Sequence, residues 1–186
     1  TTLFRSIVLS LENRTLARVT TNESGAFVYN RSLPPTVSIG EVTVRARVPL
    51  EGRALSPVNE TGSVTVRRTR TSLETVASHQ GGRRIAVRGS LTAADGTGIG
   101  NQLVVVEIDG VQMERVTTTD GGSYNATVEI PSRFLSANDT SVAVRAVFDA
   151  SGTNLAGAES RTSVSIPDAE ARAGVPGNPG WISTQL

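Results

Sequence analysis

The chain of 186 residues has no cysteine and no lysine, one histidine, one methionine, one tryptophan, two tyrosines and four phenylalanines. Without cysteine there is no disulfide framework, no thiol nucleophile and no thiolate metal site. One histidine cannot assemble a zinc site, and no G-x-S-x-G, H-E-x-x-H or phosphate-loop motif occurs, so a nucleophilic triad has no parts to build from. No run of eighteen apolar residues is present, which excludes a spanning helix in this stretch. All the positive charge is arginine, 18 residues against 17 acids, and the single basic run is RRTR at 67–70. That balance points away from a nucleic-acid partner, which calls for clustered positive charge.

What is abundant is threonine, serine, valine and glycine, the composition of a soluble β protein. The chain also repeats itself. With a shift of 97, IVLSLENRTLARVTT (7–21) lies over VVVEIDGVQMERVTT (104–118), and NESGAF (22–27) lies over TDGGSY (119–124). Asn13 then falls on Gly110, and since asparagine tolerates positive φ, both sequences can make the same primed hairpin turn. Downstream the shift becomes 100, and VTVRARVPLEGRALSPVNETGSVTV runs without a gap against VAVRAVFDASGTNLAGAESRTSVSI. A period near 100 residues means tandem domains, because solenoid repeats are far shorter.

Inside each unit apolar residues alternate, as half-buried antiparallel strands require. Ile85, Val87 and Leu91 share one face while Arg84, Arg88 and Ser90 share the other. The same pattern holds for Val104, Val106 and Ile108, for Tyr124, Ala126, Val128 and Ile130, for Val142, Val144, Ala146 and Phe148, and for Val164 and Ile166. A first strand near 71–76 and a short one after Asp109-Gly110 bring the expected total to about seven, the count of an immunoglobulin-like sandwich. The predicted fold class is all-β, with tandem Ig-like antiparallel β-sandwich domains of which the first is truncated.

The run VRGSLTAADGTGIGNQLVVVEIDG, then TTTDGGSY, then VAVRAVFDASGTNLAGAESRTSVSI resembles the Ig-like (Big-type) repeats of bacterial and archaeal cell-surface and secreted proteins. In that family a strand ending in G-x-L leads to a D-G turn, a V-x-V-x-[IVD]-G hairpin, a T-x-x-x-G-x-[YF] entry and a closing S-x-[VT]-x-[VI] strand. The resemblance covers most of 69–166 and part of 7–66. It implies an extracellular or cell-surface protein of prokaryotic origin whose partners are neighbouring Ig-like domains and possible surface proteins or glycans. The Cys-Trp-Cys core of antibody domains is missing.

The first unit has no counterpart of 71–101, and the six residues in its place, TTLFRS, are what a widely used sequencing adapter encodes in one frame, ACG ACG CTC TTC CGA TCT. The expected organisation is therefore an artefact at 1–6, a truncated sandwich at 7–68, a complete sandwich at 69–167 joined through a linker at about 67–71, and a Pro/Gly-rich linker or tail at 168–186 containing Trp181. On this expectation the chain is a piece of a longer protein.

Candidate site residues are few. His79 is expected in a loop before Gly81-Gly82, with little around it to support catalysis. Asp95, Asp109, Asp120 and Asp139, with Glu23 and Glu60, are expected in turns; calcium would need several to converge, and D-G turns use aspartate as a cap. No catalytic, cofactor or metal site is expected. Asn-x-Ser/Thr occurs at Asn13, Asn22, Asn30, Asn59, Asn125 and Asn138, six of nine asparagines. Chance would supply about two at this Ser/Thr content, so these are candidate N-glycosylation sites. Alternation places Asn125 outward, and Asn22, Asn59 and Asn138 are expected in loops. Tyr29, Tyr124 and most phenylalanines are expected in the core, which leaves no aromatic platform for sugar stacking. The function that follows is a non-catalytic spacer or stalk. Two alternatives are an adhesin whose loops at 93–101 or 149–158 contact a ligand, and an accessory domain of a secreted enzyme.

Overall fold

A computed structural model of the protein describes residues 5–49, 57–134 and 141–166. Contacts divide the chain into two compact units that change over between Arg68 and Thr69, with Gly152–Asn154 grouped with the first. The first contains β1 (Ser6–Leu11), β2 (Arg14–Thr20), β3 (Gly40–Val48) and β4 (Val58–Val66). These form one antiparallel sheet in the order β2-β1-β3-β4. The second contains β5 (Thr71–His79), β6 (Arg84–Ala93), β7 (Leu103–Ile108), β8 (Val111–Thr117), β9 (Ser123–Glu129), β10 (Ser141–Phe148) and β11 (Ala158–Ser165).

The seven strands of the second unit make a three-stranded sheet, β5-β6-β9, and a four-stranded sheet, β11-β10-β7-β8, both antiparallel. Their inner faces share one core, in which Ile85, Val87 and Leu91 of one sheet meet Val104, Val106, Ile108, Val144 and Phe148 of the other. This is the Ig-like sandwich that the alternation predicts. The chain enters through a parallel bridge between Thr69 and Leu155, with Ala156 N donating to Thr69 O (2.8 Å) and Thr71 Oγ1 donating to Ala156 O (2.7 Å). Besides strands, Ser132–Phe134 form one 3-10 turn.

Two glycines permit close backbone approaches. Gly89 pairs with Tyr124 on one side and Thr75 on the other. The Tyr124 side chain lies across Gly89: its hydroxyl donates to Glu74 O (2.9 Å) and is itself 2.6 Å from Thr75 Oγ1. A Cβ at Gly89 would collide with that phenol, so the absence of a side chain is what lets Tyr124 tie β9 to β5. At one end of the sandwich the Gly98 backbone passes against Gly121 and Gly122, where a Cβ on Gly98 would strike the Gly121 carbonyl. Buried Thr118 locks the same corner, donating to Ile99 O (2.8 Å) and accepting from Gln102 N (3.0 Å).

The repeat holds in strand register and in hydrogen bonding. β1 and β2 pair in the same register as β7 and β8 at the shift of 97, including the bulge at Leu9/Ser10 and at Val106/Glu107. Thr21 repeats Thr118: it accepts from Arg5 N (3.1 Å) and donates its own N–H to Arg5 O (3.0 Å), as Thr118 does with Gln102. The correspondence therefore begins at Arg5, two residues before the sequence match, and uses Arg5 and Ser6 of the adapter-like segment. In the β1–β2 turn the positive φ falls at Glu12 (51°), as it does at Asp109 (47°), and not at Asn13 as the alignment with Gly110 suggests.

Several expectations for the first unit are corrected. Asn59 and Glu60 lie inside β4 and not in a loop, because β3 extends to Val48 and pairs with Val58. Phe27 (38% exposed) and Tyr29 (37%) are outside the core. The segment holding them corresponds to β9, and among the described residues it has no sheet to join, so 26–34 carries no strand. In the second unit His79 is the last residue of β5, with Nε2 2.9 Å from Gly82 O, and not part of a loop.

Candidate functional site

Among the described residues no reacting constellation is assembled. His79 faces a backbone carbonyl, and no group of three His, Asp or Glu residues that could hold a metal ion occurs among the described residues. Three of the turn acids, Asp95, Asp109 and Asp120, are occupied locally. Asp95 accepts from Thr97 N (3.0 Å), which holds its carboxyl below the usual value. Asp109 accepts from Ala143 N (3.3 Å), and Asp120 accepts from Asn101 Nδ2 (3.0 Å). Glu23 is exposed in the loop after β2. Asp139, Asn138 and Trp181 lie outside the described residues.

The other five sequon asparagines, Asn13, Asn22, Asn30, Asn59 and Asn125, are all exposed. Asn22 caps its turn through Oδ1, which accepts from Ser24 Oγ (2.7 Å), Ser24 N (3.1 Å) and Ala26 N (2.9 Å). Thr119 fills that place in the second unit, accepting from Ser123 N at 3.2 Å. Asn125 points away from the core on β9, beside Arg88.

A groove of about 460 Å³ in the first unit is lined by Leu11, Arg14, Leu16, Pro34, Thr36 and Val37. At the shift of 97 the second unit has Met113 and Phe134 in place of Leu16 and Val37, both packed against its core. The groove thus lies where the smaller Val37 stands in place of Phe134.

The outer faces of the two four-stranded sheets differ in charge. In the second unit Arg145 reaches Glu107 (3.0 Å) on β7 and Glu159 on β11, and Arg161 lies 3.3 Å from Glu159. Donating to Glu159, and then to Glu107, raises the Arg145 pKa, and Arg145 in turn lowers that of Glu159. In the first unit Arg45 is the twin of Arg145, but Ser10 stands for Glu107 and Asn59 for Glu159. Arg47 replaces Val147, and Arg18 matches Arg115. The side chains of Arg18, Arg45 and Arg47 are exposed and have no ion pair or hydrogen bond among the described residues. Sequence reading misses this face because the sheet, not the chain, brings its arginines together; a twin-by-twin comparison of the repeats is the signal that finds it.

No protein family matches the chain, and no curated protein does. Among solved structures it is similar to a tetra-tandem repeat from the extending region of a large adhesion protein, at 13% identity and a TM-score of 0.49, over 88% of this chain and 42% of that one. It is also similar to β-glucuronidase 3 of Bacteroides uniformis (13% identity, TM-score 0.33, 86% of this chain and 21% of that one). A Parabacteroides merdae β-glucuronidase is similar at 12% identity and a TM-score of 0.31, over 88% and 21%. The chain therefore spans less than half the length of each of these proteins, and likenesses of this strength say nothing about activity.

Proposed function

We propose that the chain is a non-catalytic spacer of an extracellular or cell-surface multi-domain protein, built from Big-type Ig-like repeats. The observation that carries this reading is the repetition of backbone detail, the bulge, the threonine clamp and the capped turn, in both units. Selection on such a module acts on fold, and loops and faces are free to vary. Its partners are adjacent domains of the same protein, and glycans on the exposed sequon asparagines would shield its faces.

The test is replacement in the native protein. Exchanging both units for unrelated sandwiches of the same length should preserve the activity of the surrounding domains, whereas deleting them should not. Loss of activity on length-matched exchange, or recovery of the native protein solely from cytosol, would overturn the reading.

A further inference from the structure

We propose that the outer face of the β2-β1-β3-β4 sheet binds a polyanionic glycan bearing carboxylate or sulfate groups, with Arg18, Arg45 and Arg47 as its anion contacts. This goes beyond the spacer reading, which requires no ligand.

Register sets the geometry. Val8 pairs with Arg18 on one side and Arg47 on the other, so these two arginines stand in one row across three strands. At a strand spacing of about 4.8 Å their Cα atoms are roughly 10 Å apart, and Arg45 lies about 7 Å along β3 from Arg47. Ser10 and Thr61 flank Arg45, Asn59 flanks Arg47, and Val8 lies between Arg18 and Arg47, so the register neighbours named for the three cations are all neutral. An arginine fork matches a carboxylate or sulfate edge with two parallel hydrogen bonds, and the neighbouring hydroxyls suit sugar hydroxyls.

The second unit shows what this sheet does with its arginine when nothing external supplies charge: Glu107 and Glu159 neutralise it. The first unit keeps the arginine, loses both acids and gains Arg47. Three like charges held together without counter-charge repel, and an anionic ligand relieves that repulsion. A glycan is favoured over nucleic acid because β1 to β4 contain no aromatic side chain for base stacking and present a flat sheet, with no helix to enter a groove.

The experiment uses the whole chain, produced without glycosylation so that Asn59 is bare, with heparin and polygalacturonate as probes at low ionic strength. Binding that weakens with salt is expected. Restoring the missing acids with S10E/N59E should lower affinity about tenfold or more, and R45Q/R47Q should do the same. R67Q/R68Q/R70Q, which removes the one basic run, should leave affinity unchanged. The second unit already accommodates glutamate at both twin positions, and an unchanged melting profile would confirm that S10E/N59E folds. No binding to either probe, or binding that survives both S10E/N59E and R45Q/R47Q, overturns the proposal. Arginine-dependent binding to duplex DNA or anionic vesicles, with none to the glycans, overturns the ligand class.

Discussion

The two units contain the same four-stranded sheet, once with a second sheet over its inner face and once without one among the described residues. Where β5-β6-β9 covers it, Val144, Ala146 and Phe148 are at most 2% exposed; their twins Val44, Ala46 and Val48 are only half-buried. Val64 is 42% exposed, against 6% for Val164. The first unit's compact core is correspondingly small, with Leu11, Val37, Val42 and Val66 at its centre. Backbone hydrogen bonding and turn chemistry are thus sufficient to specify a sheet, while its apolar burial depends on what lies opposite.

The largest expected contrast comes from truncating twins on β10 and β3. Phe148→Ala should cost the second unit about 3–5 kcal/mol, because a fully enclosed aromatic is lost and its cavity remains, whereas Val48→Ala should cost the first unit under about 1 kcal/mol. Urea melts with a reporter in each unit would show it, and equal costs would break the comparison. Next comes the threonine clamp. Thr118→Val removes a buried hydroxyl with two partners and should cost about 1–3 kcal/mol; Thr21→Val, with one such bond, should cost about half as much.

Tyr124→Phe should cost about 1 kcal/mol at neutral pH, since the lost hydroxyl bridges Glu74 and Thr75. Burial raises the Tyr124 pKa above 10.0, so the folded state holds its proton more tightly than the unfolded chain. Stability of the second unit is therefore full below the unfolded value and falls as pH rises through the folded one, a decline that Tyr124→Phe should remove. The smallest effect is expected at Glu159, whose pKa Arg145 depresses below 4.5. Its stabilisation is present above the unfolded value and lost as pH falls through the folded one, so Glu159→Gln should flatten the acid limb of the second unit slightly. Asn59, its twin, has no proton to give, and Asn59→Gln should leave the first unit's acid limb unchanged.

β7, β9 and β10 of the second unit are legible in the sequence because each buries every other residue to both strand ends, whereas β8, which has no such alternation, is legible from the Asp109-Gly110 turn before it. β4 is not legible at its start: Val58-Asn59-Glu60-Thr61-Gly62 has no alternation, and pairing with β3 alone extends the strand. Phe27 and Tyr29 fail for the opposite reason, since they alternate correctly but find no neighbouring strand among the described residues. The exposure of the five described sequon asparagines is partly readable, as at outward-facing Asn125, and partly a product of pairing, as at Asn59. The arginine face lies beyond single-segment reading, because Arg18 and Arg45 share a face solely through the register of β1 with its two neighbours.

The parallel bridge of Thr69 with Leu155 also sets how the second unit responds to tension. The chain enters beside the segment that leads into its last strand and runs the same way, so pulling on the two ends drags β5 and β11 lengthwise in opposite directions. The bonds from Ala156 to Thr69 and from Thr71 to Ala156 then resist shear together and do not open one after another as in a peeling hairpin. Force along the chain would meet its greatest resistance at the first step.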